Sequence, residues 1–222
     1  MTLLQNKNDS YYYFNFERSI LNIERRESKN MIRCTNYSKT ELRQVGHHIA
    51  KAFLSEKGSF SILPPDVADR MFSMIVEICY ETGHLYTTSD KQEGYCVYWT
   101  KSERPGFWPQ MKLVLMMMIG LPWSLGKLLK DGQNNWIPTE KRYKKQDDFV
   151  EVFLIAVRNE YQKQGYFRKM LEEPFSLAKI RHTICVLDTD SIVKAEKYCH
   201  VGMHIIDRKV QKNGIEMFAL EK

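Results

Sequence analysis

The sequence lacks the cysteine patterns of disulfide-rich and zinc-binding proteins. It contains five cysteines, an odd number, and no C-x-x-C pair. In a chain of 222 residues this favours free, mostly buried thiols in a reducing compartment, with no metal site. The five are Cys34, Cys79, Cys96, Cys185 and Cys199.

A secretory leader and a membrane-spanning run are also missing. Residues 1–30 are polar, charged and aromatic, whereas a signal peptide has a basic start followed by an apolar stretch. The longest apolar run, residues 113–122, is about half of the roughly 20 residues that a spanning helix needs. We therefore expect a cytoplasmic protein with no membrane span.

Two common phosphate-binding loops are absent as well. A P-loop needs Lys and Ser or Thr after its second glycine, and a dinucleotide-binding loop needs three glycines at set positions. The chain has one glycine, Gly165, in its best candidate turn, followed by Tyr166 and Phe167. Both loop types are therefore excluded at this turn.

The most informative stretch that is present runs from residue 149 to 171. An apolar run of strand length leads into a short polar turn that holds Gly165, and apolar residues then recur at helical spacing. A strand–turn–helix of this kind directs unpaired backbone N–H groups and the positive end of a helix at one point. The pattern is compatible with a phosphate site or with plain packing.

Two segments resemble the GNAT superfamily of N-acetyltransferases. The sequence Tyr-Gln-Lys-Gln-Gly-Tyr-Phe-Arg-Lys-Met-Leu at 161–171 is similar to the family's acyl-CoA loop, with Gln162 and Gly165 on its first two fixed positions. Phe167 stands where the family usually has a small residue. Residues 185–203 resemble the family's next strand and helix, including a Tyr four residues before a Gly.

This resemblance implies a fold and a domain organisation. The expected fold is α/β, with a mixed, mostly antiparallel twisted sheet, flanking helices and central strands splayed for acyl-CoA. The alternation of strand and helix patterns independently favours an α/β domain. We expect an N-terminal extension over 1–30, a GNAT domain over 31–222, and an insertion over 107–146 near the acceptor site.

The resemblance also implies a reaction, the transfer of an acetyl group from acetyl-CoA to a primary amine of a small molecule or protein, without a metal. An alkylammonium has a pKa near about 10.4, so the reaction needs a general base, and the leaving thiolate needs an acid. Glu151 takes the place of the base, with Asp148 as the nearest substitute, and Tyr198 takes the place of the acid. The expected donor-binding residues are Ile155, Ala156, Val157, Gln162, Lys163, Gln164, Gly165, Tyr166, Phe167, Arg168 and Ser191. The Phe167 side chain is expected to point into the core, leaving its amide for the phosphates.

The insertion carries the chain's excess of positive charge. Between residues 101 and 145 there are nine Lys or Arg and three acids, a difference of +6 that equals the net charge of the chain. This charge is either a solvated face or a means to attract an anion such as CoA, and no motif points to nucleic acid. The apolar, Met-rich run up to Trp123, before a predicted short helix to Leu129, has three interpretations: core, a lining of the acceptor pocket, or an interface or membrane-surface patch.

The first half of the chain predicts helices and a hairpin. Ser38 and Glu41 fit a capping box that opens a helix to about Ser55. The pair at 64–65, Pro-Pro, opens a second helix, and residues 84–100 fit a hairpin.

A function of another class remains open, namely a non-catalytic GNAT-fold module that binds acyl-CoA or a protein. A monomer and a homodimer are both compatible with the sequence, and the acceptor is not specified by the fold.

Overall fold

A computed structural model describes residues 31–56, 58–122, 136–143, 148–211 and 214–222 of the chain. The predicted extension over 1–30 and the predicted short helix ending at Leu129 lie outside these residues. The described helices are α1 (Lys39–Ser55), α2 (Pro65–Glu81), α3 (Phe107–Gly120), α4 (Thr139–Arg142), α5 (Tyr166–Ile180) and α6 (Ile192–His200). The described strands are β1 (Ile32–Arg33), β2 (Leu85–Thr87), β3 (Gly94–Thr100), β4 (Val150–Val157), β5 (Cys185–Thr189), β6 (His204–Val210) and β7 (Glu216–Glu221).

The strands form one mixed sheet with the order β1-β2-β3-β4-β5-β7-β6. Every neighbouring pair is antiparallel except β4 and β5. Those two central strands pair only where Val150 faces Cys185 and Glu151 faces Val186. Beyond that point they diverge, so the predicted α/β fold with splayed central strands is confirmed.

A bulge in β4 lies at the start of the splay. Val97 of β3 faces Leu154, whereas the next β3 residue, Tyr98, faces Val152, so Phe153 is an extra residue on β4. Such a bulge changes which side chains point to which face. Val152 packs on the α5–α6 side of the sheet, whereas Leu154 packs on the α1–α2 side.

The helix boundaries in the first half follow the sequence signals. The Ser38 hydroxyl accepts a hydrogen bond from the Glu41 N–H, and the Glu41 carboxylate accepts one from the Ser38 N–H. The predicted capping box is therefore confirmed. The second helix begins at Pro65, and the predicted hairpin forms β2 and β3.

The interpretation of the Met-rich run as core is wrong for residues 107–120. They form α3, which contains no buried residue. Helices α1 and α2 already cover this face of the sheet, so α3 packs outside them, with Leu113 and Met117 against α2 and its other side exposed. None of the described helices is long and apolar enough to cross a bilayer.

Candidate functional site

A cleft of about 840 Å³ opens where β4 and β5 diverge. Its walls come from β4, the end of β5, the turn before α5, helix α6, and the α1 and α2 side of the sheet. The space exists because β4 and β5 stop pairing after Glu151 and Val186 and then move apart. It lies beside the turn that the sequence singled out.

The turn before α5 has the conformation that only glycine adopts easily. Gly165 has φ +87° and ψ −6°, and Lys163 also has positive φ. The first hydrogen bond of α5 runs from the Lys169 N–H to the Gly165 carbonyl, and the N-cap residue, Gly165, has no side chain to cap the helix. The N–H groups of residues 166–168 therefore have no acceptor within the helix and form a cradle suited to an anion.

The turn is fastened to the hairpin between β2 and β3. The Arg158 N–H donates to the Glu93 carbonyl at 2.9 Å, and its guanidinium donates to the carbonyls of Lys91 and Gln92. The same guanidinium forms an ion pair with Glu160 and lies over the Tyr161 ring. These contacts fix the loop that leads from β4 to the cradle.

Glu93 is a structural residue that no sequence pattern singled out. It is buried, and its carboxylate accepts hydrogen bonds from Thr88 at 2.7 Å and Ser89 at 2.6 Å. It also bonds the hydroxyl of Tyr166, the first residue of α5. The acid thus joins the hairpin to the cradle.

We expect Glu93→Gln to lower the free energy of unfolding by about 1.5–3 kcal/mol at pH 7, because it weakens charge-assisted hydrogen bonds. Burial would raise the pKa of Glu93, but the hydrogen bonds outweigh it and lower the pKa to about 2. A depressed pKa stabilises the fold above the ordinary value of 4.5, and this contribution is lost as the pH falls toward 2. Urea unfolding from pH 7 to pH 3 should show the difference from wild type shrinking below pH 4.5. A pH-independent difference, or an equal loss in the exposed control Glu196→Gln, would contradict this account.

Tyr198 of α6 faces the cleft from the α5–α6 side of the sheet. It is buried, and its ring lies 5.0 Å from the ring of Phe167. Burial raises the pKa of the Tyr198 phenol well above its usual value, so the hydroxyl keeps its proton at all physiological pH values. Phe167 packs partly into the same cluster, as expected, and its ring also borders the cleft.

Glu151 lies on the opposite face of the sheet. Its carboxylate accepts a hydrogen bond from the Trp99 indole at 2.7 Å and lies 3.6 Å from the Arg104 guanidinium. Its side chain is 12% exposed. Phe153, which stacks on Trp99 with ring centroids 5.0 Å apart, lines the cleft, whereas Glu151 itself does not.

Asp188 is a second carboxylate on the same face, and sequence reasoning missed it. Glu151 is opposite Val186 in the parallel pair, and side chains two residues apart on a strand share a face. Asp188 therefore shares the face of Glu151, and it lines the cleft. It accepts hydrogen bonds from the backbone N–H and the hydroxyl of Thr139, which hold α4 of the insertion against β5.

The described end of the insertion forms part of the cleft wall. Trp136, Pro138 and Lys141 line the cleft. The Arg142 guanidinium lies 5.2 Å from the centroid of the Trp136 ring and forms an ion pair with Asp207 on β6. This part of the predicted insertion thus borders the site, whereas no described residue of α3 does.

The α1–α2 side of the cleft is a mainly apolar chamber. Its acids are engaged elsewhere, since Glu56 pairs with Lys197 at 2.6 Å and Asp190 with Lys194 at 2.7 Å. Asp190 also accepts a 2.6 Å hydrogen bond from the Ser59 N–H, which ties the loop after α1 to β5. The apolar residues of the chamber are Ala52, Phe53, Phe60, Leu63, Phe72, Ile75, Phe153 and Leu154.

Most of the residues that the sequence predicted for the site border the cleft. Gln164, in the turn, and Arg168, whose N–H belongs to the cradle, do not border the cleft. The Gln164 side chain instead donates to the Glu160 carbonyl at 3.0 Å. The Ser191 hydroxyl caps α6 by accepting from the Lys194 N–H. The predicted residues that border the cleft are Ile155, Ala156, Val157, Gln162, Lys163, Gly165, Tyr166, Phe167 and Tyr198. Within the described ranges, no three His, Cys, Asp or Glu side chains converge as metal ligands do.

Comparison with known proteins identifies the fold. An acetyltransferase of the GNAT family from Listeria monocytogenes has a TM-score of 0.51 at 12% identity, with 86% of this chain and 92% of that chain covered. Arylalkylamine N-acetyltransferase 2 from Aedes aegypti has a TM-score of 0.53 at 12% identity, with 87% of this chain and 99% of that chain covered. A Drosophila melanogaster polyamine N-acetyltransferase has a TM-score of 0.53 at 13% identity, with 87% of this chain and 100% of that chain covered. No family model and no curated protein matches the sequence. The chain has the GNAT fold.

Proposed function

We propose that the protein is an N-acetyltransferase that transfers an acetyl group from acetyl-CoA to a primary amine. The observation that carries this proposal is the cleft between β4 and β5, which lies directly beside an uncapped helix N-terminus. The cradle suits a pyrophosphate, and the cleft suits the arm that connects it to a thioester. In a GNAT fold, this pairing of features is the basis for acyl-CoA binding.

The donor is held by backbone groups more than by side chains. Among the described residues, the edge of β4 that faces β5 has no strand partner beyond Glu151. Its N–H and carbonyl groups near Ile155 and Ala156 can therefore bond the amide groups of pantetheine, whereas the Val157 carbonyl accepts a 3.5 Å hydrogen bond from the Gln162 side chain. The N–H groups of residues 166–168 receive the pyrophosphate. Gln162 hydrogen-bonds the side chain of Asn159 at 3.1 Å and shapes the turn between the two.

The chemistry is direct transfer. The amine nitrogen attacks the thioester carbonyl, the C–S bond breaks, and the proton that the amine loses goes to a general base. Tyr198 borders the cleft and keeps its proton at neutral pH, and it donates this proton to the departing thiolate. No covalent enzyme intermediate is needed, so none of the cysteines takes part.

We propose Glu151 as the general base. Its carboxylate bonds the Trp99 indole and does not border the cleft, so it takes the proton through water rather than by direct contact. Asp188 borders the cleft directly and is the alternative base on the same face. The substitute proposed from sequence, Asp148, instead pairs with Arg181 at 3.1 Å and does not border the cleft.

The chamber favours an amine that carries an aromatic or aliphatic group. Two of the similar structures are named for arylalkylamine and polyamine substrates. A polyamine requires several unpaired carboxylates, but Glu56 and Asp190 already pair with lysines. An aromatic side chain instead gains by burial against Phe53, Phe60 and Phe72.

The first test is a calorimetric titration of the purified protein with acetyl-CoA. We expect saturable binding, and we expect Gly165→Glu to weaken it at least about tenfold, because a carboxylate at the cradle repels the phosphates. Gly214→Glu is the matched control, since both glycines have positive φ and open space around a Cβ. Equal affinity of the two variants for acetyl-CoA would mean that its phosphates do not bind at the cradle. Binding without thiol release against a panel of amines would favour the non-catalytic acyl-CoA-binding module.

A further inference from the structure

The end of the insertion is fastened to three neighbouring strands of the sheet. Three of the residues over 139–143 each bond an acidic side chain, and each acid lies on a different strand. The three contacts are Thr139 with Asp188 on β5, Arg142 with Asp207 on β6, and Tyr143 with Glu221 on β7. Lys141 lies between these contacts on α4, so its position at the edge of the cleft is fixed by the sheet.

Lys141 differs from the other lysines that border the cleft. Lys194 and Lys197 are each held by an acid, with 2.7 and 2.6 Å between nitrogen and oxygen. Lys163 belongs to the turn beside the cradle for the donor. Lys141 also borders the cleft, but within the described part of the chain it forms no ion pair with an acid. Its ammonium is therefore available to an anionic group of a ligand.

A carboxylate borders the cleft where α4 meets β5. Asp188 accepts hydrogen bonds from the N–H and the hydroxyl of Thr139, which is two residues before Lys141. Thr139 carries no charge and does not neutralise this carboxylate, so Asp188 attracts an ammonium group. The same cleft contains the apolar chamber. A complementary ligand therefore combines an ammonium, a carboxylate and an apolar group.

We propose that the acceptor is a free α-amino acid with an aromatic or aliphatic side chain, and that Lys141 binds its carboxylate. This inference rests on the proposed acetyl transfer and names the class of amine. One carbon atom of such a molecule carries the ammonium, the carboxylate and the side chain, which are directed to Asp188, Lys141 and the chamber. The amino terminus of a peptide is a poorer acceptor, because its carboxyl group is part of an amide bond and cannot form a charge-assisted hydrogen bond with Lys141.

The reaction on this acceptor is N-acetylation. The α-amine nitrogen forms the new bond to the acetyl carbonyl carbon while the C–S bond of the thioester breaks. The α-ammonium loses two protons in all, of which one ends on the CoA thiol and the other is released to solvent. The products are CoA and an N-acetyl amino acid, and the carboxylate that Lys141 binds is unchanged by the reaction.

The test is a calorimetric titration of the full chain, saturated with CoA, with two probes: L-phenylalanine and 2-phenylethylamine, which lacks only the carboxylate. We expect L-phenylalanine to bind at least about tenfold more tightly, and Lys141→Glu to lose at least about tenfold of this affinity. The affinity for 2-phenylethylamine should not fall in this variant. Lys141→Gln removes the charge without reversing it and should lose the same preference. Because the Lys141 side chain is exposed, circular dichroism and thermal unfolding of both variants should match wild type.

The matched control is Lys51→Glu, the same change at an exposed lysine of α1 that does not border the cleft. It should keep the wild-type preference for L-phenylalanine. Equal affinity for the two probes, no binding of either, or an equal loss in the control would overturn the inference. So would an equally large loss of CoA affinity in Lys141→Glu, because Lys141 would then bind the donor. Thiol release from acetyl-CoA is measured separately: a preference for L-phenylalanine that depends on Lys141, without thiol release, would support the carboxylate site and contradict acetyl transfer.

Discussion

Replacing Tyr198 by phenylalanine is expected to lower kcat for acetyl transfer by about 10²–10³-fold, with the affinity for acetyl-CoA changed less than about threefold. The substitution removes only the hydroxyl. The ring contact with Phe167, 5.0 Å between centroids, and the packing in the α5–α6 cluster remain. A loss confined to kcat therefore reports the lost proton donor rather than a disturbed cleft.

The pH profile gives a second readout for Tyr198. Burial raises the pKa of its phenol above the ordinary value of 10, so the acid stays protonated as the pH rises toward 10. We therefore expect that deprotonation of Tyr198 does not lower the wild-type kcat at any pH below 10. Stopped-flow measurement of thiol release, with a good amine acceptor at saturation, separates the chemical step from product release. Unchanged kcat in Tyr198→Phe, with normal acetyl-CoA binding, would leave Tyr198 with a packing role only.

The sequence was most informative where local rules decide the structure. Ser38 and Glu41 make the two hydrogen bonds of a capping box, and such contacts depend on residues three positions apart. Gly165 was found for the same reason, since a short turn between strand and helix needs a residue that accepts positive φ. The family resemblance then supplied what local patterns cannot, namely the splay of β4 from β5.

The sequence was least informative where the outcome depends on competition between distant elements. The apolar run over 107–120 has the composition of a core helix, but α1 and α2 already occupy the face of the sheet that it would cover. Asp188 and Thr139 are separated by 49 residues along the chain, so no pattern showed that the insertion docks on β5 at this acid. Glu93 was missed because its partners come from a hairpin and from α5.

Replacing Glu151 by glutamine is expected to lower kcat by about 10²–10³-fold if its carboxylate accepts the proton of the amine. Glutamine keeps an oxygen that can accept the Trp99 indole N–H, now at 2.7 Å, but cannot take up a proton at neutral pH. Affinity for acetyl-CoA should stay within about threefold of wild type, because Glu151 lies outside the donor-binding part of β4. Single-turnover acetylation with preformed donor complex measures the affected step directly.

Two further variants test whether a loss of kcat in Glu151→Gln reports a lost general base or a lost structural contact. Arg104→Gln leaves the carboxylate but removes the guanidinium 3.6 Å away. If the role of Glu151 is only to hold Arg104, Arg104→Gln should lose as much activity as Glu151→Gln. If Glu151 is the general base, Arg104→Gln should keep most of the wild-type kcat. Asp188→Asn keeps an acceptor for the Thr139 hydroxyl and tests the carboxylate that borders the cleft. A hundredfold loss there, with near-normal kcat in Glu151→Gln, would transfer the role of base to Asp188, because only a group within reach of the amine can take its proton.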